Sequence, residues 1–359
     1  MGISQVKVRP ITGQEMRDTA VEAQVVVPVE QTWVWAEFEE TFPDRDLIGF
    51  FEITADGEPV AVLGLTAYDY HGFKFVWCKN GPVWLVPEDA ALEKKAVRAL
   101  VRWIKRRQPS TAFLRMHLRF PLADAKPPMQ ITPYDRTVIV DLADTEDDLM
   151  AGYKRRMRTQ IRGARRKTPV ELADESLAGA EDFGPYYKIM EETAERQDFT
   201  IWPQEVYEHL LRSLGEEYSR LYVARVDGEV AALAIFTMAG RRAAYYYAAA
   251  NEAGRDNRAP VQLLHYALLE LGKEGNTSAD LMGVGSELAP SLNPMTALKS
   301  GFAAEITTIS PAYDVPVNKL RYKALELLRD AKTTVTSLTD VSALKDKLPW
   351  RRKDETPEE

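Results

Sequence analysis

Apolar and polar positions along this chain follow two rhythms, and the same succession of rhythms occurs in each half. Residues 47–53 and 59–70 are apolar runs around Asp56-Gly57, a strong hairpin signal because both turn positions tolerate positive φ. A strand over 6–10 and helices over 14–20 and 32–42 precede the hairpin, and strands over 73–78 and 83–85 follow it. After the start signal Pro87-Glu88-Asp89, Leu92, Ala96, Ala99, Leu100, Trp103 and Ile104 recur at helical spacing. A helix to residue 107 and a strand over 112–118 are predicted from this.

The second half reads the same way. Apolar runs 221–226 and 229–239 flank Asp227-Gly228, a tyrosine-rich strand covers 243–250, and a polar loop over 251–258 feeds a helix over 260–273 and a strand over 279–284. No residue-level repeat accompanies this, so the duplication is one of pattern. Strands that feed a helix and return to a strand predict α/β architecture with mixed sheets in two layers. The order hairpin, strand, loop, helix, strand resembles the fold of the GCN5-related N-acetyltransferases (GNAT), as an analogy of topology. The expected divisions are 1–145, a junction helix over 146–168, 169–332, and a tail over 333–359.

Composition narrows the class. The 359 residues are 45% hydrophobic and 28% charged, enough for two domains with cores and unlike a disordered or fibrous chain. Cys78 is the only cysteine, which excludes an intramolecular disulfide, and no Cys/His set has zinc-ligand spacing. No stretch approaches the ~18 to 20 apolar residues of a membrane span, and the first thirty lack a signal-peptide core. A cytoplasmic protein without metal is expected.

Charge adds a contradiction. The net of -8 argues against a polyanionic partner, yet residues 154–167 read KRRMRTQIRGARRK, eight basic residues of fourteen with no acid. Without those eight, 38 basic face 54 acidic residues, a net of -16. Thr145 and Asp148 form a capping box, after which Leu149, Tyr153, Met157, Ile161 and Ala164 fall on one helix side and Arg155, Arg158, Arg162 and Arg165 on another. Guanidinium forks at that spacing suit RNA or a diphosphate, whereas an ordinary charge run is a solvated face.

Other positions carry chemistry. Arg196 lies among acids near the end of a helix that begins near Phe183, so a surface ion pair competes with anion binding. In the strand over 243–250, Tyr245 and Tyr247 are expected on one face and Tyr246 on the other. The loop before the helix at 260 is Arg255-Asp256-Asn257-Arg258-Ala259-Pro260, with an arginine where coenzyme A enzymes of this fold place a close-approach glycine and a proline that has no N–H. The counterpart Lys79-Asn80-Gly81-Pro82 also departs from the phosphate-loop pattern. Lys299, beside Ser300-Gly301-Phe302 and before a strand over 303–309, could face a developing oxyanion.

Gln31-Thr32-Trp33-Val34-Trp35, Gly81-Pro82, the basic run, Thr193 through Phe199, the tyrosine strand with Ala259-Pro260, and Leu298-Lys299 with Gly301-Phe302 and Tyr313-Asp314 together resemble the Fem-type (FemABX) peptidyltransferases over roughly residues 25 to 330. The resemblance implies two tandem GNAT-like acyltransferase domains and transfer of an amino acid of the Gly, Ala or Ser class from aminoacyl-tRNA to the stem-peptide amine of a lipid-linked or UDP-linked muropeptide. It implies Lys299 as the catalytic cation and Arg196, Gln31, Trp33, Tyr247, Arg258 and Phe302 as substrate-binding residues. It also implies Arg155, Arg158, Arg162 and Arg165 as contacts for tRNA or phosphate. No cofactor is implied beyond aminoacyl-tRNA as co-substrate, and a monomer is expected.

The chain departs from the family twice. No heptad stretch is long enough for the helical arm of some members, and Glu37-Phe38-Glu39-Glu40 stands where many carry a phosphate-binding lysine. Aminolysis of an activated ester needs alignment, a neutral amine and a cation for the oxyanion, but no nucleophilic triad. His71, His117, His209 and His265 match no family motif and read as structural. A coenzyme A-dependent N-acyltransferase and a non-catalytic RNA-binding protein are the alternatives. Trp350 beside Arg351-Arg352-Lys353 suggests peripheral contact with the inner face of a membrane, a frayed terminus being the plainer reading.

Overall fold

The computed structural model describes residues 5–70, 72–129 and 131–333; His71 and the tail with Trp350 lie outside them. The first elements are β1 (Val6–Ile11), α1 (Gly13–Glu22), α2 (Trp33–Glu40), β2 (Arg45–Ala55), β3 (Glu58–Tyr70), β4 (Phe73–Cys78), β5 (Val83–Trp84), α3 (Ala90–Arg107) and β6 (Phe113–His117). Then come β7 (Arg136–Thr137), β8 (Ile139–Asp141), α4 (Glu146–Ala151), α5 (Arg155–Lys167), β9 (Glu171–Asp174), α6 (Ser176–Glu181), α7 (Gly184–Gln197) and α8 (Gln204–Tyr218). The chain continues through β10 (Ser219–Val226), β11 (Glu229–Ala239), β12 (Arg242–Ala250), α9 (Glu252–Asp256), α10 (Ala259–Lys273), β13 (Ser278–Asp280), α11 (Asn293–Lys299), β14 (Thr307–Thr308), β15 (Ala312–Pro316) and α12 (Lys319–Thr333). The described residues fall into two compact units, one within 5–133 together with 310–333 and the other 134–309.

In the first unit the sheet order is β1-β2-β3-β4-β6-β15, with β5 also on β3. Strands β1 to β4 form an antiparallel meander, and α3 carries the chain across to β6, which runs parallel to β4 from Val76↔Leu114 to Cys78↔Met116. Helix α3 starts where Asp89 caps it by accepting from the Ala91 and Leu92 N–H groups, and Lys105, Arg106 and Arg107 complement the dipole at its other end. Its apolar stripe, Leu92, Ala96, Val97, Leu100 and Ile104, packs with Ile53, Leu63, Leu65, Val76 and Leu114 in one buried cluster.

The second unit repeats the plan in the order β8-β13-β12-β11-β10-β9. Its meander runs β10, β11, β12; α9 and α10 make the crossover, and β13 pairs parallel to β12. Helices α5 and α10 bury Met157, Ile161, Leu264, Ala267, Leu268 and Leu271 with Tyr222, Ala234 and Phe236 of the sheet. Phe183, just before α7, stacks on Tyr207 of α8 at 5.1 Å.

The expected boundaries at 145 and 332 differ from these units. Strand β8 pairs with β13, so it belongs to the second unit, and β15 pairs with β6, so the chain returns to the first. The expected junction helix is two helices. Helix α4 ends at Ala151 and α5 begins at Arg155, although Leu149, Tyr153, Met157, Ile161 and Ala164 are all buried as the spacing requires. The strands expected over 279–284 and 303–309 shrink to β13 and β14.

Candidate active site

Strand β13 pairs with β12 only through residues 242–244. Beyond Ala244, β12 runs on to Ala250 with no partner strand on that side among the described residues, so the parallel pair splays open. Lys299, the last residue of α11, stands at the opening. It is 7% exposed, and its Nζ donates to the carbonyls of Gly283 at 3.0 Å and Met282 at 3.4 Å. The Tyr245 ring centre lies 5.9 Å from the same nitrogen.

Local backbone chemistry builds this seat. Asp280 accepts from the Thr137 hydroxyl and from the Met282 N–H at 2.7 Å, and Met282 turns the chain with φ 63°. At Gly285 a Cβ would come within 2.0 Å of Asn293 Oδ1, so only glycine lets α11 approach this closely. Burial pushes the Lys299 amine down to about 8, while the Asp280 charge resists the shift. The site therefore holds a cation that is poorly hydrated, and so strongly felt by a charge developing beside it.

The basic helix adjoins that lysine. The Lys154 N–H donates to Gly301 O at 3.0 Å, and a Cβ on Gly301 would meet Met157 Cε at 2.4 Å, so the loop after Lys299 is seated on the start of α5. The cationic face differs from the one expected. Arg158 donates to the carbonyls of Met150, in the last turn of α4, and of Tyr153, just beyond it, and Arg165 pairs with Glu146. Both guanidiniums are committed within the fold, and an acid does relieve one of them. Arg155, Arg162 and Arg166 are exposed and lie on one line of the helix at intervals of seven and four.

The other cations meet at the far end of β12. Arg196 at the end of α7 and Arg255 in α9 each donate Nη1 to Ala250 O at 3.0 Å, and Thr193 Oγ1 donates to it at 3.2 Å. Burial, and then the charge of Arg255, hold the Arg196 guanidinium below its ordinary value. Arg258 is exposed and caps α10 in the left-handed region at φ 55°. From residue 245 to 250 the strand spans about 16 Å, with Lys299 at one end and the two arginines at the other.

Three sequence expectations are corrected here. Tyr245 pairs with Phe236 and Tyr247 with Ile235, leaving Tyr246 in a bulge, so Tyr245 and Tyr247 point to opposite faces. Tyr245 faces Lys299, while Tyr247 packs against Tyr207 at 5.2 Å. Phe302 is fully buried against Tyr153 and cannot touch a substrate. Gln31 is buried in the first unit, donating to Lys79 O at 2.6 Å and accepting from the Gly64 N–H at 2.7 Å, which makes it a pin between strands. Trp33 is 43% exposed on α2.

Sequence reasoning missed Asp280, Arg255 and Arg166. Arg255 was legible only as a broken phosphate loop, because its partner is 59 positions away in the chain. The described histidines bond within the fold: His117 to Ser310 O, His209 to Ser213, and His265 to Tyr153 and Glu146. No group of His, Cys, Asp or Glu among the described residues could hold a metal ion, and no described helix is long and apolar enough to cross a membrane.

Residues 152–287 match the acetyltransferase (GNAT) domain family. No curated protein matches the sequence. Among solved structures, FemX has TM-score 0.66 at 15% identity over 89% of this chain and 100% of that one. The tandem GNAT protein from the clavulanic acid biosynthesis pathway has TM-score 0.53 at 12% identity, over 88% of this chain and 99% of that one. The C-terminal domain of a putative lysylphosphatidylglycerol synthetase from Agrobacterium fabrum has TM-score 0.52 at 13% identity, over 89% and 97%. No long helical arm interrupts the second unit among the described residues. With a GNAT domain match in its second unit and the same strand order in its first, the chain has a tandem GNAT fold, the fold of FemX.

Proposed function

We propose that the chain is a tRNA-dependent aminoacyltransferase that moves an amino acid of the Gly, Ala or Ser class onto the stem-peptide amine of a peptidoglycan precursor. The observation that carries the reading is Lys299, a buried cation at the splay of β12 and β13. The neutral acceptor amine attacks the ester carbonyl, a C–N bond forms, and the carbonyl oxygen becomes an alkoxide opposite the Lys299 ammonium. Collapse breaks the C–O bond to the tRNA ribose, whose oxygen leaves with the proton lost by the amine. Arg155, Arg162 and Arg166, one helix away, suit the tRNA backbone, and Arg196 with Arg255 suits the diphosphate of the acceptor.

We place the reaction in the cytoplasm, on a UDP-linked acceptor or a lipid-linked one at the inner face of the membrane. Aminoacyl-tRNA is the co-substrate. The loop at Arg258-Ala259-Pro260 supports this over a coenzyme A thioester, because Pro260 has no N–H for a pyrophosphate. The deciding experiment offers the muropeptide precursor with charged tRNAs of the Gly, Ala and Ser class, and separately with acetyl-coenzyme A. Transfer from tRNA is expected; transfer from the thioester alone would overturn the proposal.

A further inference from the structure

Helix α12 packs onto the first unit through one side only. Tyr322 is 3% exposed and meets Phe113 edge-on at 5.6 Å, and Leu325 lies half-buried beside it. At about 100° per residue, Leu320, Ala324 and Leu327 share the opposite side and Leu328 sits at its edge. An ordinary surface helix carries polar residues there. Instead, Leu320 is 83%, Leu327 62% and Leu328 47% exposed. Lys323 flanks this face on one side and Arg321 on the other, both exposed.

We infer that α12 is an interfacial helix that docks the protein on an anionic lipid bilayer. Leucines on the outermost line with cations on both borders match the acyl and headgroup layers of such a surface. Charge selects this occupant. Residues 319–333 hold five basic and two acidic residues, a net of +3, whereas the rest of the chain is -11. Anionic headgroups attract this helix. A second copy of the same face would set Lys323 and Arg321 against another pair of cations. The inference is independent of which group the second unit transfers.

The test uses the full chain in vesicle flotation at low salt, with phosphatidylglycerol-phosphatidylcholine vesicles and with phosphatidylcholine alone. Flotation is expected with the anionic vesicles only, and to be lost at high salt. L320S/L327S/L328S and, separately, R321Q/K323Q should each reduce bound protein about tenfold with circular dichroism unchanged. Failure to float with anionic vesicles, or undiminished flotation of both variants, would overturn the assignment. So would a dimer in light scattering that the serine variant converts to monomer, since a second copy would then be the occupant.

Discussion

Arg196 and Arg255 reach the same acceptor, the Ala250 carbonyl, each through Nη1 at 3.0 Å. Two guanidiniums are thereby held within two hydrogen-bond lengths of each other, and the charge of Arg255 contributes to lowering the Arg196 pKa. An anion between them would relieve that repulsion and accept from the remaining N–H groups. Replacing either arginine with Gln should raise KM for the diphosphate-bearing acceptor about tenfold or more, with kcat little changed. Steady-state kinetics with the acceptor varied checks this. An unchanged KM in R255Q would leave Arg255 as a brace for the carbonyl.

Lys299 ties activity and stability to pH in opposite directions. Its amine titrates at about 8 because it is buried, against 10.5 for a free lysine. Transfer should fall as pH rises through 8, when the cation facing the oxyanion is lost. Between about 8 and 10.5 the unfolded chain binds more protons at this site than the folded one, so the contribution of Lys299 to stability rises with pH across that window. A pH–rate profile beside urea midpoints at the same pH values checks both signs. Lys299→Met should abolish turnover, remove this alkaline contribution to stability, and leave tRNA binding intact.

Five of the six arginines of α5 divide into two groups with separable effects. Arg155, Arg162 and Arg166 are exposed, whereas Arg158 holds the carbonyl end of α4 and Arg165 pairs with Glu146. R155Q/R162Q/R166Q should flatten the slope of log affinity for tRNA against log salt by roughly 2 to 3, since each lost phosphate contact removes about 0.7 to 0.9. Arg158→Gln should instead leave the slope alone and lower stability by about 1 to 2 kcal/mol, through the carbonyls it leaves unpaired. Filter binding across a salt series and thermal melts separate the two.

What the sequence made legible was local. The two Asp-Gly hairpins and helices α3 and α10 follow from periodicity and turn chemistry within a dozen residues, and they occur within a residue or two of where those signals place them. Sheet membership was not legible. Strand β15 lies against β6 across some two hundred positions, and β8 offers only three residues to announce its pairing with β13. At the candidate site Lys299 and Arg196 were identifiable from motifs, but the carbonyl seat of the lysine depends on a left-handed turn at Met282 that no local pattern encodes. The faces of Tyr245 and Tyr247 were misjudged because a bulge resets alternation without marking the sequence.

Arg115 and Asp314 provide the last test, of what holds the returning strand. Arg115 Nε lies 2.6 Å from Asp314 Oδ1 and Nη2 lies 3.0 Å from Oδ2; the residues are 1% and 0% exposed, and the guanidinium is ringed by Phe75, Trp77 and Phe113. The pair joins β6 to β15 at the register Asp314↔Arg115. Both charges are desolvated, so removing one partner strands the other, at a cost of about 3 to 5 kcal/mol. Arg115→Met should show that loss in urea unfolding, with early proteolysis after residue 310. Burial already raises the Asp314 carboxyl, and losing Arg115 removes the main opposing pull. Between the unfolded and the folded pKa the folded variant holds a proton that the unfolded chain has released, so its stability should rise as pH falls through the folded pKa and level off below the unfolded one. R115M/D314L, which removes both charges, should recover most of the loss and show no such dependence; if it is as unstable as the single variant, the rings rather than the ion pair hold β15.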